Sequence, residues 1–138
     1  MSAIKEILEN TKTIAVIGMK DDTFETAYKV PFYMHEQGYR IYPVNPMRTG
    51  KSVLDEEFYD KVTGIKAQID LVNIFRRPEF ITGHVKEILS MNPLPKYVWF
   101  QLGIYNDDAA KELEKHGIEV VQNRCIMVEH SKLDMMHG

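Results

Sequence analysis

The sequence predicts an α/β protein in which helices cover both faces of a parallel sheet. Five short apolar runs, rich in β-branched and aromatic residues, recur along the chain, and segments with apolar residues at helical spacing separate them. Continuous apolar runs are typical of strands that are buried on both faces. The length of 138 residues, with 44% apolar and 27% charged residues, fits one globular domain, which we assign to residues 1–138.

The apolar runs and the helical segments alternate from one end of the chain to the other. The predicted strands are residues 13–17, 39–44, 70–75, 97–101 and 118–122. The predicted helices are residues 2–10, 28–37, 79–91 and 107–116. Residues 123–138 are expected to form a short helix or hook and then a tail. The connection from 47 to 68 is the least regular segment, with one short helix expected at residues 53–59.

Glycine and proline residues mark the expected ends of the helices. Gly38 and Gly117 follow the second and fourth helices, and glycine is favoured just past a helix C-terminus. Pro31 falls within the second helix, where an interior proline costs about 3 kcal/mol. We therefore expect this helix to begin late, so that Pro31 lies in its first turn.

Strands that alternate with helices imply right-handed crossovers between parallel strands. The predicted fold is a three-layer, doubly wound, Rossmann-like sandwich with strand order 3-2-1-4-5. Ligands of such sheets bind beyond the carboxyl ends of the strands. The loops at those ends contain Gly18, Asn45, Arg48, Lys51, Arg76, Arg77, Gly103 and Arg124. We expect this edge to present a basic rim suited to an anionic ligand, although the net charge of the chain is −3.

The turn after the first strand differs from the dinucleotide-binding fingerprint. It holds one glycine, Gly18, instead of three, and Arg48 and Lys51 follow the second strand in place of an acidic residue. These differences disfavour NAD and suit a nucleotide with a phosphate on its ribose. Gly18 alone is weak evidence, because many such turns need a glycine for backbone reasons. Asp21 and Asp22, in the same turn, should repel phosphate.

Five segments in a fixed order, IAVIG, YPVNP, IFRRPE, QLGI and NRC, resemble the stand-alone CoA-binding proteins. These are small domains similar to the N-terminal domain of the succinyl-CoA synthetase alpha subunit. The resemblance implies a coenzyme A ligand, with its pyrophosphate at the first turn, its adenosine near the second loop and its pantetheine past the third and fourth loops. The site residues it implies are Gly18, Met19, Lys20, Asn45, Pro46, Arg48, Phe75, Arg76, Arg77, Gln101, Leu102 and Gly103. Arg48 or Lys51 would contact the 3′-phosphate.

Single residues near this edge have alternative interpretations. Adjacent residues that leave a strand face opposite ways, so one of Arg76 and Arg77 is expected to face solvent or to pair with Glu79. Cys125, the single cysteine, fits either a reactive thiol near the CoA thiol or a buried, inert side chain, and we favour the inert one. The five histidines show no metal-ligand spacing, and no metal site is predicted.

Three functions fit the sequence. A CoA-binding module without catalysis is favoured by Arg48 and by the segments IFRRPE and QLGI. A scaffold that has lost CoA and acts as a protein-interaction domain is favoured by the acidic turn, and a CoA-linked thiol-redox protein would use Cys125. The acidic net charge, the single cysteine and the lack of an apolar run of about 20 residues indicate a cytoplasmic protein that binds neither nucleic acid nor membranes. A homodimer or a protein partner is left open.

Overall fold

The structure, a computed structural model, describes the backbone of residues 2–137 and the side chains of residues 3–133. Strands and helices alternate along the chain as the sequence predicts. The strands are β1 (Thr13–Ile17), β2 (Arg40–Val44), β3 (Ser52–Val53), β4 (Glu56–Glu57), β5 (Leu71–Ile74), β6 (Tyr97–Phe100) and β7 (Glu119–Val121). The helices are α1 (Ser2–Glu9), α2 (Thr26–Glu36), α3 (Ile81–Leu89), α4 (Asp107–Lys115) and α5 (Ile126–His137). No helix within residues 2–137 has the length and apolar content needed to span a membrane.

Five of the strands form one parallel sheet with the order β2-β1-β5-β6-β7, so the α/β class is confirmed. The predicted strand order 3-2-1-4-5 is corrected to 2-1-3-4-5, counted along the chain. The third main strand, β5, pairs with β1, with Ile14 opposite Leu71, instead of lying beyond β2. Pro43 gives the physical reason, because a residue without an N–H suits an edge strand, and β2 occupies the edge.

The long connection after β2 runs back along that edge. The N–H of Tyr59 donates to the carbonyl of Pro43 at 2.9 Å, and the N–H of Asn45 donates to the carbonyl of Tyr59 at 2.8 Å. The helix predicted at residues 53–59 is wrong, since β3 and β4 form a two-stranded hairpin there. Leu54 and Asp55 have φ values of +49° and +72°, as the tight turn of a hairpin requires. The usual Asn-Gly or Asp-Gly signal is missing, which explains the error.

The side chains of the sheet alternate between two apolar layers. Ile14 and Val16 of β1 pack against α1, α2 and α5, whereas Ala15 and Ile17 pack against α3 and α4. The winding of the chain reverses between β1 and β5, which are neighbours in the sheet. The loops that follow these two strands therefore lie side by side at the carboxyl edge, where ligands of doubly wound sheets bind.

Helix α2 begins earlier than predicted. It starts at Thr26, so the buried Pro31 lies beyond the first turn, and the expectation of a late start is wrong. Proline has no N–H to donate to the carbonyl of Ala27, four residues earlier. The N–H of Lys20 donates to that carbonyl instead, at 3.3 Å. The loop after β1 thus satisfies the acceptor that Pro31 leaves free, which allows an interior proline and ties the loop to the helix.

The C-terminal segment is a helix, one of the two forms predicted there, and the helix continues through residues that were predicted as a tail. Helix α5 runs from Ile126 to His137, and Gly138, the last residue of the predicted tail, lies outside the described residues. The segment before α5 is fixed to the sheet, because the indole N–H of Trp99 donates to the carbonyl of Arg124 at 2.7 Å. The side chain of Ile126 is buried beside β1 and α2, which explains why the helix stays against the sheet.

Candidate functional site

The carboxyl ends of β1, β5 and β6 open into a cavity of about 610 Å³, which we call the main cavity. Its predicted lining residues are Gly18, Lys20, Phe75, Arg76, Arg77, Gln101, Leu102 and Gly103. Its other lining residues are Glu25, Thr26, Ala27, Pro78, Ile104 and Cys125. Two smaller cavities, of about 390 and 220 Å³, continue along the same edge, and all three share Gly18 and Arg76. The volume of the main cavity is in the range of small-ligand sites.

Gly18 occupies the point where the loops after β1 and β5 meet. Its φ is +82°, and its N–H donates to the carbonyl of Val44 at 2.8 Å. A Cβ at this position would overlap the carbonyl oxygen of Phe75 and lie 3.1 Å from its carbonyl carbon. The close approach of the two backbones therefore requires glycine here. Gly18 also lines all three cavities.

The N-terminus of α2 reaches the main cavity. Thr26 and Ala27 line it, and no hydrogen bond among the described residues uses their backbone N–H groups. Free N–H groups and the helix dipole make a helix N-terminus attractive to anions. The carboxylate of Glu25 lies beside them but is paired with the ammonium of Lys20 at 3.8 Å. This corner of the cavity thus combines two free donors with a neutralised acid.

Arg76 and Arg77 leave β5 in different directions, as predicted. The guanidinium of Arg76 stacks on the ring of Phe80 at 4.4 Å, and its Nε is buried without a hydrogen-bond partner among the described residues. No ion pair within residues 3–133 involves Arg76. Arg77 has 79% of its side chain exposed and pairs with Glu79 at 3.8 Å. Arg76 is therefore the cation whose charge is both held in place and left unpaired at the cavity.

Asp21 and Asp22 face the loop after β2, and neither is among the described residues that line the three cavities. Asp21 accepts a hydrogen bond from Nε of Arg48 at 2.8 Å, and Asp22 accepts one from Nη2 at 3.2 Å. The ammonium of Lys51 lies 3.9 Å from Asp21. Burial raises the pKa of Asp21. The hydrogen bond from Arg48, a backbone hydrogen bond and the positive charges of Lys51 and Arg48 together outweigh burial and hold this pKa below its ordinary value. Arg48 and Lys51 therefore balance the two negative charges of Asp21 and Asp22.

Met19, Asn45 and Pro46, which the resemblance also implies as site residues, do not line the main cavity. The side chain of Met19 is fully buried in the core. Asn45 donates from Nδ2 to the carbonyl of Met19 at 2.9 Å and accepts the N–H of Met47 on Oδ1 at 2.9 Å. Asn45 lines both smaller cavities and Pro46 lines the 220 Å³ one. Arg48 lines none of the three, so the structure separates it from the other predicted site residues.

The far wall of the main cavity comes from β6 and the segment before α5. Gln101, 3% exposed, accepts the N–H of Ile126 at 3.3 Å, and the N–H of Gly103 donates to Asn123 at 2.7 Å. These contacts hold the half-buried Cys125 against the cavity. Sequence reasoning missed Thr26 and Ala27 as lining residues because it placed the start of α2 two residues too late. Among residues 3–133, no three His, Cys, Asp or Glu side chains converge as metal ligands would.

This chain is similar to known proteins in both sequence and fold. The family model described as "CoA binding domain" matches residues 12–131. The uncharacterized protein YneT of Bacillus subtilis (strain 168) is 38% identical over 128 residues, which is 93% of this chain and 92% of YneT. The structure of cell-free ID.343 from Thermus thermophilus has 39% identity and a TM-score of 0.91, and the match covers 96% of this chain and 97% of that one.

A more distant likeness concerns the fold alone. The dinucleotide-forming acetyl-coenzyme A synthetase 1 of Ca. Korarchaeum cryptofilum is 18% identical, with a TM-score of 0.69. The match covers 83% of this chain and 26% of the synthetase, so the chain spans about a quarter of that larger protein. The family model, by contrast, extends over most of the chain, from before β1 into α5. The chain therefore belongs to the CoA binding domain family.

Proposed function

We propose that this protein binds coenzyme A, or an acyl-CoA, in the main cavity at the carboxyl edge of the sheet. The observation that carries the proposal is the meeting of an unpaired Arg76 guanidinium with the free N–H groups of Thr26 and Ala27 around one cavity. Guanidinium groups and helix N-termini both bind phosphate in proteins. Membership of the CoA binding domain family supports the same ligand.

The proposal assigns the pyrophosphate to the corner formed by Gly18, Arg76 and the first turn of α2. The pantetheine would then pass Phe75 and run along residues 101–104, where the wall is more apolar. The half-buried Lys20 and the exposed Arg77 would add positive charge from the rim, and each also pairs with one glutamate. This arrangement uses eight of the predicted site residues. It leaves Met19, Asn45, Pro46 and Arg48 to shape the loops.

We propose binding without catalysis by this chain alone. The residues that line the main cavity include no histidine or aspartate, and their one carboxylate, Glu25, is paired with Lys20. The described lining therefore offers no histidine, the commonest general base, and no unpaired carboxylate. The proposal includes a cytoplasmic location, because a single cysteine suits a reducing compartment.

A proline substitution at Thr26 tests the role of the helix N-terminus. Thr26 is the first residue of α2, and Glu25 before it has an extended backbone (φ −83°, ψ 142°), so proline fits without breaking the helix. Thr26→Pro removes one free N–H, whereas Thr26→Ala keeps it and removes only the side chain. By calorimetry we expect the wild type and Thr26→Ala to bind CoA with micromolar dissociation constants. Thr26→Pro should bind about tenfold more weakly, the loss expected for one hydrogen bond to a charged group.

The outcomes separate the proposed function from its alternative. No heat of binding with CoA, on wild-type protein shown to be folded by circular dichroism, would contradict the proposal and favour a protein-interaction scaffold. Equal affinity of Thr26→Pro and Thr26→Ala would mean that the pyrophosphate does not lie at this helix. Thermal unfolding of all three proteins is the control, because the two variants should keep the stability of the wild type.

A second candidate function is favoured by the position of Cys125. Its side chain lines the cavity in which the thiol end of CoA would lie. The Cys125 thiolate would attack one sulfur of CoA disulfide, forming a mixed disulfide and releasing the other CoA as a thiolate. We expect mass spectrometry to detect this adduct about tenfold sooner than the adduct from oxidised glutathione, which lacks the nucleotide. Equal rates for the two disulfides, or no adduct, would leave Cys125 as an inert wall residue; Cys125→Ser is the control.

A further inference from the structure

Four charged side chains from the loops after β1 and β2 form a closed cluster, which we call the Arg48 clamp. It consists of Asp21, Asp22, Arg48 and Lys51. We propose that the clamp removes the affinity contribution of a 3′-phosphate, so that the protein binds dephospho-CoA about as tightly as CoA. The ligand class would then be any pantetheine ester of ADP, with or without that phosphate. This inference rests on the proposed function and concerns the part of the ligand beyond the pyrophosphate.

The donors on one edge of the Arg48 guanidinium are already in use. Arg48 presents Nε to Asp21 at 2.8 Å and Nη2 to Asp22 at 3.2 Å, so carboxylates fill that edge. Only 23% of the Arg48 side chain is exposed, which limits its freedom to turn outward. A phosphate that engaged this edge would have to displace the carboxylates, exchanging one set of charge-assisted hydrogen bonds for another.

The charges of the clamp also cancel. Arg48 and Lys51 carry two positive charges, and Asp21 and Asp22 carry two negative charges at neutral pH. The depressed pKa of Asp21 keeps that carboxylate ionised. An incoming phosphate therefore meets no excess positive charge here, and it would lie close to two carboxylates that repel it. The sequence alone shows two bases after β2 and two acids after β1, but it does not show that the acids face the bases.

Two cavities lie beside Asn45 at the end of β2. The cations of the 390 Å³ cavity are Lys20, Arg76 and Arg77, which the proposed function already assigns to the pyrophosphate and the rim. The 220 Å³ cavity has two cations, Lys61 and Arg76. Two carboxylates, Asp60 and Glu87, and the histidine His84 line it as well. Glu87 is held by the N–H of Val62 at 2.8 Å and pairs with His84 at 3.3 Å. Its lining therefore has no surplus of positive charge for a phosphate on the ribose.

Calorimetry with CoA and dephospho-CoA tests the proposal on three proteins. For the wild type, we expect the two dissociation constants to agree within about threefold. The Asp21→Asn/Asp22→Asn variant keeps the shape of the acids but frees Arg48, so it should prefer CoA by about tenfold or more. Adding Arg48→Gln to that variant should remove the preference again. Thermal unfolding shows whether each variant is folded before it is titrated.

The wild type alone also provides a test that needs no variant. A phosphate contact makes the preference for CoA fall with salt, so an indifferent site should give the same ratio at about 0.05 M and about 0.5 M NaCl. A wild-type preference of about tenfold for CoA at low salt would overturn the proposal. An unchanged ratio in the folded Asp21→Asn/Asp22→Asn variant would overturn it too, because the clamp would then not be the cause. Absence of binding by both ligands would instead contradict the proposed function.

Discussion

Replacing Gly18 with alanine should lower the free energy of unfolding by about 3 kcal/mol, through backbone strain and a steric clash together. The φ of +82° is unfavourable for alanine, and the new Cβ would overlap the carbonyl oxygen of Phe75. That carbonyl belongs to the backbone of the adjacent loop, so it cannot rotate away as a side chain would. We expect the loops after β1 and β5 to separate, and urea unfolding followed by circular dichroism measures the loss.

Gly117→Ala is the matched control for this prediction. Gly117 has nearly the same φ, +84°, but no heavy atom lies within 4 Å of a Cβ built on it. Alanine there should cost only about 1 kcal/mol, the contribution of the backbone conformation without a clash. Equal losses at the two positions would show that the close approach of Gly18 to Phe75 does not limit the fold. The difference between the two variants isolates the clash.

Replacing Arg76 with methionine should weaken CoA binding by about 10- to 100-fold, because hydrogen bonds to charged groups are worth about 1.5–3 kcal/mol. Methionine keeps an unbranched stem for packing on Phe80 and removes the cation. The stability of the protein should change little, since no carboxylate within residues 3–133 pairs with Arg76 and none of these would be left unpaired. The dissociation constant from calorimetry and the midpoint of thermal unfolding together check both expectations.

Arg77→Met is the matched comparison, because it makes the same change of charge one residue further along. Arg77 is exposed and already paired with Glu79, so we expect a loss of affinity of about threefold or less. Arg76→Lys should recover only part of the affinity, since a lysine gives a point charge without a planar fork of donors. A loss at Arg77 as large as that at Arg76 would contradict the assignment of Arg76 as the cation that holds the ligand.

The strands were predictable from the sequence, whereas their order was not. Apolar runs such as TIAVI define buried strands locally, and each main strand lies within one residue of its expected bounds. The order depends on which strand pairs with β1 on its inner side, and that pairing joins residues more than fifty positions apart. Pro43 is the residue that indicates the order, because a proline within a strand marks β2 as an edge strand.

The candidate site was predictable to the extent that strand ends predict it. Gly18, Arg76 and Gly103 follow directly from the rule that parallel strands deliver their loops to one edge. Arg48 follows from the same rule, yet the structure turns it toward Asp21, a residue 27 positions earlier. Opposite charges in two separate loops look like a basic loop and an acidic loop in the sequence. Only the fold shows that they neutralise each other.

The way in which β2 ends the sheet has a consequence for self-association. An edge strand with free N–H and carbonyl groups acts as a template for strand addition and aggregation. Pro43 removes a donor from this edge, and Tyr59 takes the carbonyl of Pro43 and the N–H of Asn45. At the opposite edge, β7 is only three residues long and begins with the exposed Glu119. Neither edge offers a long ladder to a second chain, so we expect any dimer of this protein to form through its helical faces.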